Sequence, residues 1–211
     1  MRSVECRELV ADAALGLVDG MNVVSNLNDQ GAAVVFRRLL GAGIPIAATV
    51  GTDSMLSVRR DSTYANPPGW ARMYAQVDGP LSVDGLKDAV RAGRTIATNG
   101  PWVELTVQEQ GPGGRVDVSR GAEVRVHAAV HGPGVQRLRI YTADGPLAET
   151  DVPGEEGATL DVTLPVDEPT FVVAVADGGS HPEVLTDQTM AHTSAVYVDV
   201  EGRRVARAEH A

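Results

Sequence analysis

The sequence is poor in several things, and each shortage excludes something. It has one cysteine, Cys6. A single thiol allows no internal disulfide and no cysteine-built zinc site, so Cys6 reads as a small buried side chain in a helix. Aromatic residues are only 4% of the chain. No apolar run approaches the roughly 20 residues that cross a bilayer, and the longest, such as 171–176, are strand-sized. The first residues lack the apolar stretch of a secretory signal, so a cytoplasmic protein with no membrane association is expected. There is one lysine, Lys87, among the 18 basic residues. The net charge of −10 disfavours nucleic acid as a partner. All of the acidic excess lies beyond residue 100, where a solvated acidic surface is the simplest reading.

Other absences are of motifs. No Gly-x-Ser-x-Gly elbow, no Gly-x-x-x-x-Gly-Lys phosphate loop and no His-Glu-x-x-His helix occurs. Serine-hydrolase, nucleotide-binding and zincin chemistry are disfavoured accordingly.

What is present falls into two parts. Residues 1–100 alternate helix-like and strand-like segments. Leu9, Val10, Ala13 and Leu17 stand near helical spacing, and Gly20 is a stop. Residues 21–24 read as a strand. Asn28 or Asp29 caps a helix carrying Val34, Val35, Leu39 and Leu40. Residues 44–50 form a continuous apolar run that fits a parallel strand covered on both faces. Residues 72–77 read as a strand, Ser82 caps a helix that stops at Gly93, and 95–98 read as a strand. This alternation predicts an α/β domain with a parallel sheet or barrel segment. After the turn Asn99-Gly100-Pro101 the period becomes two. Strands over 102–107, 123–130, 136–141, 159–164, 170–176 and 194–200 predict an antiparallel β-sandwich over 101–211. Only three or four βα units fit in the first part, whereas a full barrel takes about 200–250 residues. Its open side therefore needs cover from upstream chain, from the sandwich or from a second copy.

The chemistry concentrates where the 44–50 strand ends, at Gly51-Thr52-Asp53. Ligands gather at the carboxyl ends of parallel strands. A carboxylate there can bind a divalent metal or orient a metal-bound water, and it can equally cap the following turn. Asn26, Asn28, Asp29 and Asp61 are candidate helpers and equally caps or loop residues. In the loop 56–72, Arg59, Arg60, Tyr64 and Trp70 suit an anionic or aromatic ligand. Asn99 either approaches the rim of a site or makes a tight turn. His127 and His131 share one face of a strand about 13 Å apart, too far to share a metal. His192 either lines a site or fixes the junction of the two parts.

The run from Ile44 to Asp53 resembles the last metal-site strand of the polymerase-and-histidinol-phosphatase (PHP) superfamily, and more narrowly the carbaryl-hydrolase-like (CehA/McbA) metallohydrolases. Residues 12–20, 77–101 and Thr189-Met190-Ala191-His192-Thr193-Ser194 resemble that family in the same order. The resemblance implies a PHP-type βα barrel segment over 1–100 with Asp53 as a metal ligand and Thr52 shaping the strand end. It also implies a divalent ion, zinc, manganese or iron, whose activated water attacks an ester, amide or carbamate in a small-molecule substrate. The sequence departs from the family in two ways. Met55 stands where the broader superfamily often has histidine, a histidine the narrower family commonly lacks too, and the early His-x-His pair is absent, since all five histidines follow residue 100. The expectation is therefore a truncated or incomplete member, completed by a missing N-terminal half or a homo-oligomer partner. The alternative is a non-catalytic binding or assembly module built on the β-sandwich.

Overall fold

A computed structural model describes residues 8–25, 29–54, 67–154 and 156–210. The strand Thr170–Gly178 organises the whole molecule. Its residues Phe171, Val173 and Val175 enter one apolar core, and Val172, Ala174 and Ala176 enter a second. Successive side chains point to opposite faces of a strand. A strand covered on both sides therefore reads as an unbroken apolar run, not as the alternating sandwich strand the sequence suggests here.

The second core is a β-sandwich. One layer is a three-stranded antiparallel sheet. It consists of β5 (Trp102–Val107), β7 (Ala122–His131) and β10 (Ala158–Val166), with β7 in the middle. The facing layer is an eight-stranded sheet. There Thr170–Gly178 is β11, flanked on one side by β8 (Val135–Thr142) and β9 (Gly145–Asp151). On its other side run β12 (Thr189–Thr193) and β13 (Val196–Val200). Beyond β13 lies β6 (Arg115–Val118), and this pairing is parallel, an exception to the antiparallel expectation.

The first core lies on the back of the large sheet, beneath the N-terminal elements α1 (Leu9–Ala14), β1 (Gly20–Val24), α2 (Asp29–Gly41) and β2 (Ala47–Val50). The helix α2 buries Ala32, Ala33, Phe36, Leu39 and Leu40 in this core. That spacing is the i, i+1, i+4, i+7, i+8 stripe of an amphipathic helix. β1 and β2 pair in parallel, as expected.

The rest of residues 1–100 departs from the expected parallel pattern. β3 (Arg72–Ala75) and β4 (Thr95–Thr98) pair antiparallel, and β4 pairs antiparallel with β12. These strands extend the large sheet, which therefore crosses residue 100. Among the described residues, parallel pairing in the first hundred is confined to β1–β2. The helix between β3 and β4, α3 (Val83–Arg91), begins as the sequence implies. The Ser82 hydroxyl accepts the Gly85 N–H at 3.0 Å, and Gly93 (φ +68°) ends the helix in the left-handed region that glycine adopts freely.

A one-residue bulge between β12 and β13 joins the layers. Val175 pairs with His192, whereas Val172 pairs with Val196, so the register slips between them. The Thr193 hydroxyl accepts the Ala174 N–H at 3.0 Å, which the bulge would otherwise strand. Ser194 is turned toward β2. Its Oγ accepts the Ala48 N–H at 2.8 Å and lies 2.7 Å from Thr95 Oγ1. Thr95 spends its own proton on the Ala48 carbonyl at 2.8 Å, so in this pair the Ser194 hydroxyl donates. Side-chain hydroxyls thus satisfy the Ala48 amide at the edge of β2 where no backbone partner stands.

Candidate functional site

The loop 51–54 leaves the carboxyl end of β2. The Gly51 N–H donates to Val24 O at 3.1 Å, continuing the β1–β2 ladder for one residue. A Cβ at Gly51 would meet the Asn22 amide, so any larger residue there has to displace that side chain. Asn22 is itself fixed by the Thr49 hydroxyl, which donates to its Oδ1 at 2.8 Å. The Thr52 carbonyl accepts the Trp70 indole N–H at 3.1 Å, and the Thr52 hydroxyl accepts from Ser54 Oγ at 2.9 Å. Between these two anchored residues Asp53 adopts φ +47° and is exposed. A left-handed backbone is uncommon outside glycine, though aspartate tolerates it better than most. The loop holds one carboxylate out at the strand end.

The other candidates lie elsewhere. Trp70 is buried, at 8% exposure, with its indole nitrogen spent on Thr52. It supports the Asp53 loop and presents little surface to a substrate. Asn99 is also buried, and its amide is nearly saturated. Oδ1 accepts the Met190 N–H at 2.8 Å, and Nδ2 donates to Gln188 O at 2.8 Å and Thr186 Oγ1 at 3.0 Å. It straps the segment 186–190 to the turn after β4. His192, on β12, is completely buried against α2, edge-on to Phe36 with ring centroids 5.2 Å apart. Its Nδ1 lies 2.7 Å from Thr193 O, so Nδ1 carries the proton, and Nε2 has no partner among the described residues. Burial, reinforced by the charge of Arg37 and only partly opposed by the Thr193 hydrogen bond, pushes its pKa down to about 3. His192 is a neutral packing residue at the junction of the layers and does not line a surface site.

Arg59, Arg60, Tyr64, Asn26, Asn28, Asp61 and Cys6 lie outside the described residues. Asp29 opens α2. The segment 189–194 that carried part of the family resemblance acts here as a fastening. Thr189 bonds Gly179 O, Met190 bonds Asn99, His192 packs on Phe36, and Thr193 and Ser194 close the bulge.

One feature of the surface is not evident from sequence. A groove of about 440 Å³ lies on the outer face of the three-stranded sheet. There His127 Nδ1 is 2.7 Å from Asp161 Oδ1. The period-two pattern marks both as outward-facing, but only the β7–β10 register makes them neighbours.

No family model matches the chain, and no curated protein does. Among solved structures, the sulfur carrier protein SoxY from Chlorobium limicola f thiosulfatophilum is 19% identical, over 46% of this chain and 79% of that one, with a TM-score of 0.34. An engineered protein is 20% identical over 47% of this chain and 20% of its own, with a TM-score of 0.29. Likenesses at this level carry no argument about fold or activity.

Proposed function

We propose that this chain carries the last metal-ligand strand of a PHP-type metallohydrolase of CehA/McbA character, with Asp53 as a ligand to a divalent ion. The observation that carries the reading is the placement of Asp53: an exposed carboxylate just past the end of a parallel strand, on a loop fixed at Thr52, with a left-handed backbone at Asp53. β1 supports it too. Among the described residues β1 pairs only with β2, and Leu15 and Leu17 nearby are more than two-thirds exposed. Further barrel strands would cover that side. The reaction class implied is hydrolysis of an ester, amide or carbamate in a small molecule.

The described residues fit one corner of a metal centre and not the whole. Among them no three His, Cys, Asp or Glu side chains converge, and a catalytic zinc needs three protein ligands. The remaining donors have to come from outside the described residues, from further polypeptide or from a second copy. The role of this chain's own residues is then to present one carboxylate in a fixed direction, with Thr52 and Trp70 holding the loop.

Elemental analysis after loading with Mn²⁺ or Zn²⁺ and desalting tests the reading. Retained metal that disappears in Asp53→Ala supports it. Metal retained equally by the variant contradicts it. A second reading, a binding module built on the sandwich, is favoured by the groove on its outer face.

A further inference from the structure

The groove on the three-stranded sheet is built by register. Thr106, His127 and Asp161 stand in one row across β5, β7 and β10, and Thr163 stands opposite Arg125 in the next. The His127 ring donates its Nδ1–H to Asp161 Oδ1 at 2.7 Å. Asp161 retains a second carboxylate oxygen, and Arg125 has no ion pair among the described residues.

The rim is a tight turn, Gln108-Glu109, closed by reciprocal hydrogen bonds between Val107 and Gln110 at 2.9 Å. Its central residues have φ +46° and +70°. Such a turn ordinarily takes Asn-Gly, because both positions need positive φ. Gln-Glu is strained there, and strain held by non-glycine residues collects at ligand-binding sites. Both residues line the groove.

The lining narrows the ligand. It offers one guanidinium and two carboxylates, so a polyanion is repelled. Val126 belongs to the sandwich core and Val162 packs against it, and the two contribute apolar surface to the lining. The lining thus combines apolar surface with planar donors and acceptors flanked by two threonine hydroxyls, which suits a ligand that presents both C–H and alternating hydrogen-bonding groups. On the same face, four residues back along β5 and about 13 Å away, stands Trp102. Its indole N–H donates to Glu104 at 2.9 Å, and its ring meets Tyr74 edge-on at 5.0 Å. Tyr74 is 43% exposed. An aromatic face farther along the same surface from planar polar groups suits an oligosaccharide, whose units present both C–H and hydroxyl faces.

We propose that this outer face binds a saccharide. Arg125, His127 and Asp161 hold the hydroxyls of one unit, and a unit two further along the glycan lies against Trp102, about 13 Å along β5. The site is separate from Asp53 and stands or falls independently of the metal reading.

The test is a ¹⁵N-correlation NMR titration of the whole protein with cellotriose, maltotriose, xylotriose and chitotriose, each to about 20 mM, with glycylglycine and inorganic phosphate as rivals. The expected result is saturable shifts at Thr106, His127 and Thr163 with at least one trisaccharide. Affinity should fall about tenfold in Asp161→Ala and in Trp102→Ala, with melting temperatures unchanged for Asp161→Ala. The proposal is overturned if none of the four sugars shifts these amides, if glycylglycine or phosphate binds there more tightly, or if both variants bind like the parent.

Discussion

The indole N–H of Trp70 donates to the carbonyl of Thr52 at 3.1 Å, across a loop whose next residue, Asp53, holds a left-handed backbone. The buried ring therefore braces the carboxylate without touching it. Trp70→Phe keeps most of the packing and removes one donor. A net hydrogen bond is worth about 1 kcal/mol, so a fall in stability of that order is expected. Faster amide exchange confined to residues 51–54 should accompany it. Exchange unchanged there would mean the bond does not hold the loop.

The bulge at Ser194 makes a second test. Ser194→Ala removes the acceptor of the Ala48 N–H and the donor to Thr95. An unsatisfied buried donor costs about 1–3 kcal/mol, and that loss is expected in denaturant unfolding. Thr95→Val breaks the same network from the other side. The double variant should lose clearly less than the sum of the singles, since both act on one set of bonds. Strict additivity would contradict the network.

His192 gives the pH dependence. Its folded pKa of about 3 lies below the ordinary value of 6.5 that the unfolded chain restores. Above pH 6.5 both states are unprotonated and His192 adds no pH dependence. As pH falls below that, only the unfolded state takes up the proton, so stability drops, approaching tenfold in the folding equilibrium per pH unit, until pH nears 3. His192→Phe or His192→Leu should flatten the unfolding profile between about pH 6.5 and 4 relative to the parent. An unchanged slope would place the pH dependence elsewhere.

Much of this architecture is legible in the residues, and the parts that are not share a cause. Ser82, Gly93 and the apolar stripe on α2 are local signals and find their expected places. The alternating strands of the sandwich do as well. β3 and β4 mislead because each is only four residues long and sits among helices. Their antiparallel pairing is dictated by β12 and the Ser194 bulge, some hundred positions away. The site divides the same way. Gly51-Thr52-Asp53 announces a strand end from sequence alone. Whether Trp70, Asn99 and His192 face solvent or core depends on which layer covers them, and that is set by tertiary packing. The His127–Asp161 pair needs the β7–β10 register, which no single segment encodes.

The double-faced burial of β11 makes the two parts of the chain interdependent. A fragment of residues 101–211 would expose Phe171, Val173, Val175 and Met190, which the N-terminal layer covers. Such a patch favours association. The fragment should bind a hydrophobic dye and aggregate or lose cooperative unfolding. A monomeric fragment with the parent's melting temperature would show that the sandwich stands alone.

The most direct measurement of the central claim is a Mn²⁺ titration followed by paramagnetic broadening in the ¹⁵N-correlation spectrum. If Asp53 is the metal ligand of this chain, broadening begins at Gly51, Thr52, Asp53 and Ser54 at the lowest metal concentrations and vanishes in Asp53→Ala. Broadening that begins elsewhere, or that survives the substitution, would contradict the assignment.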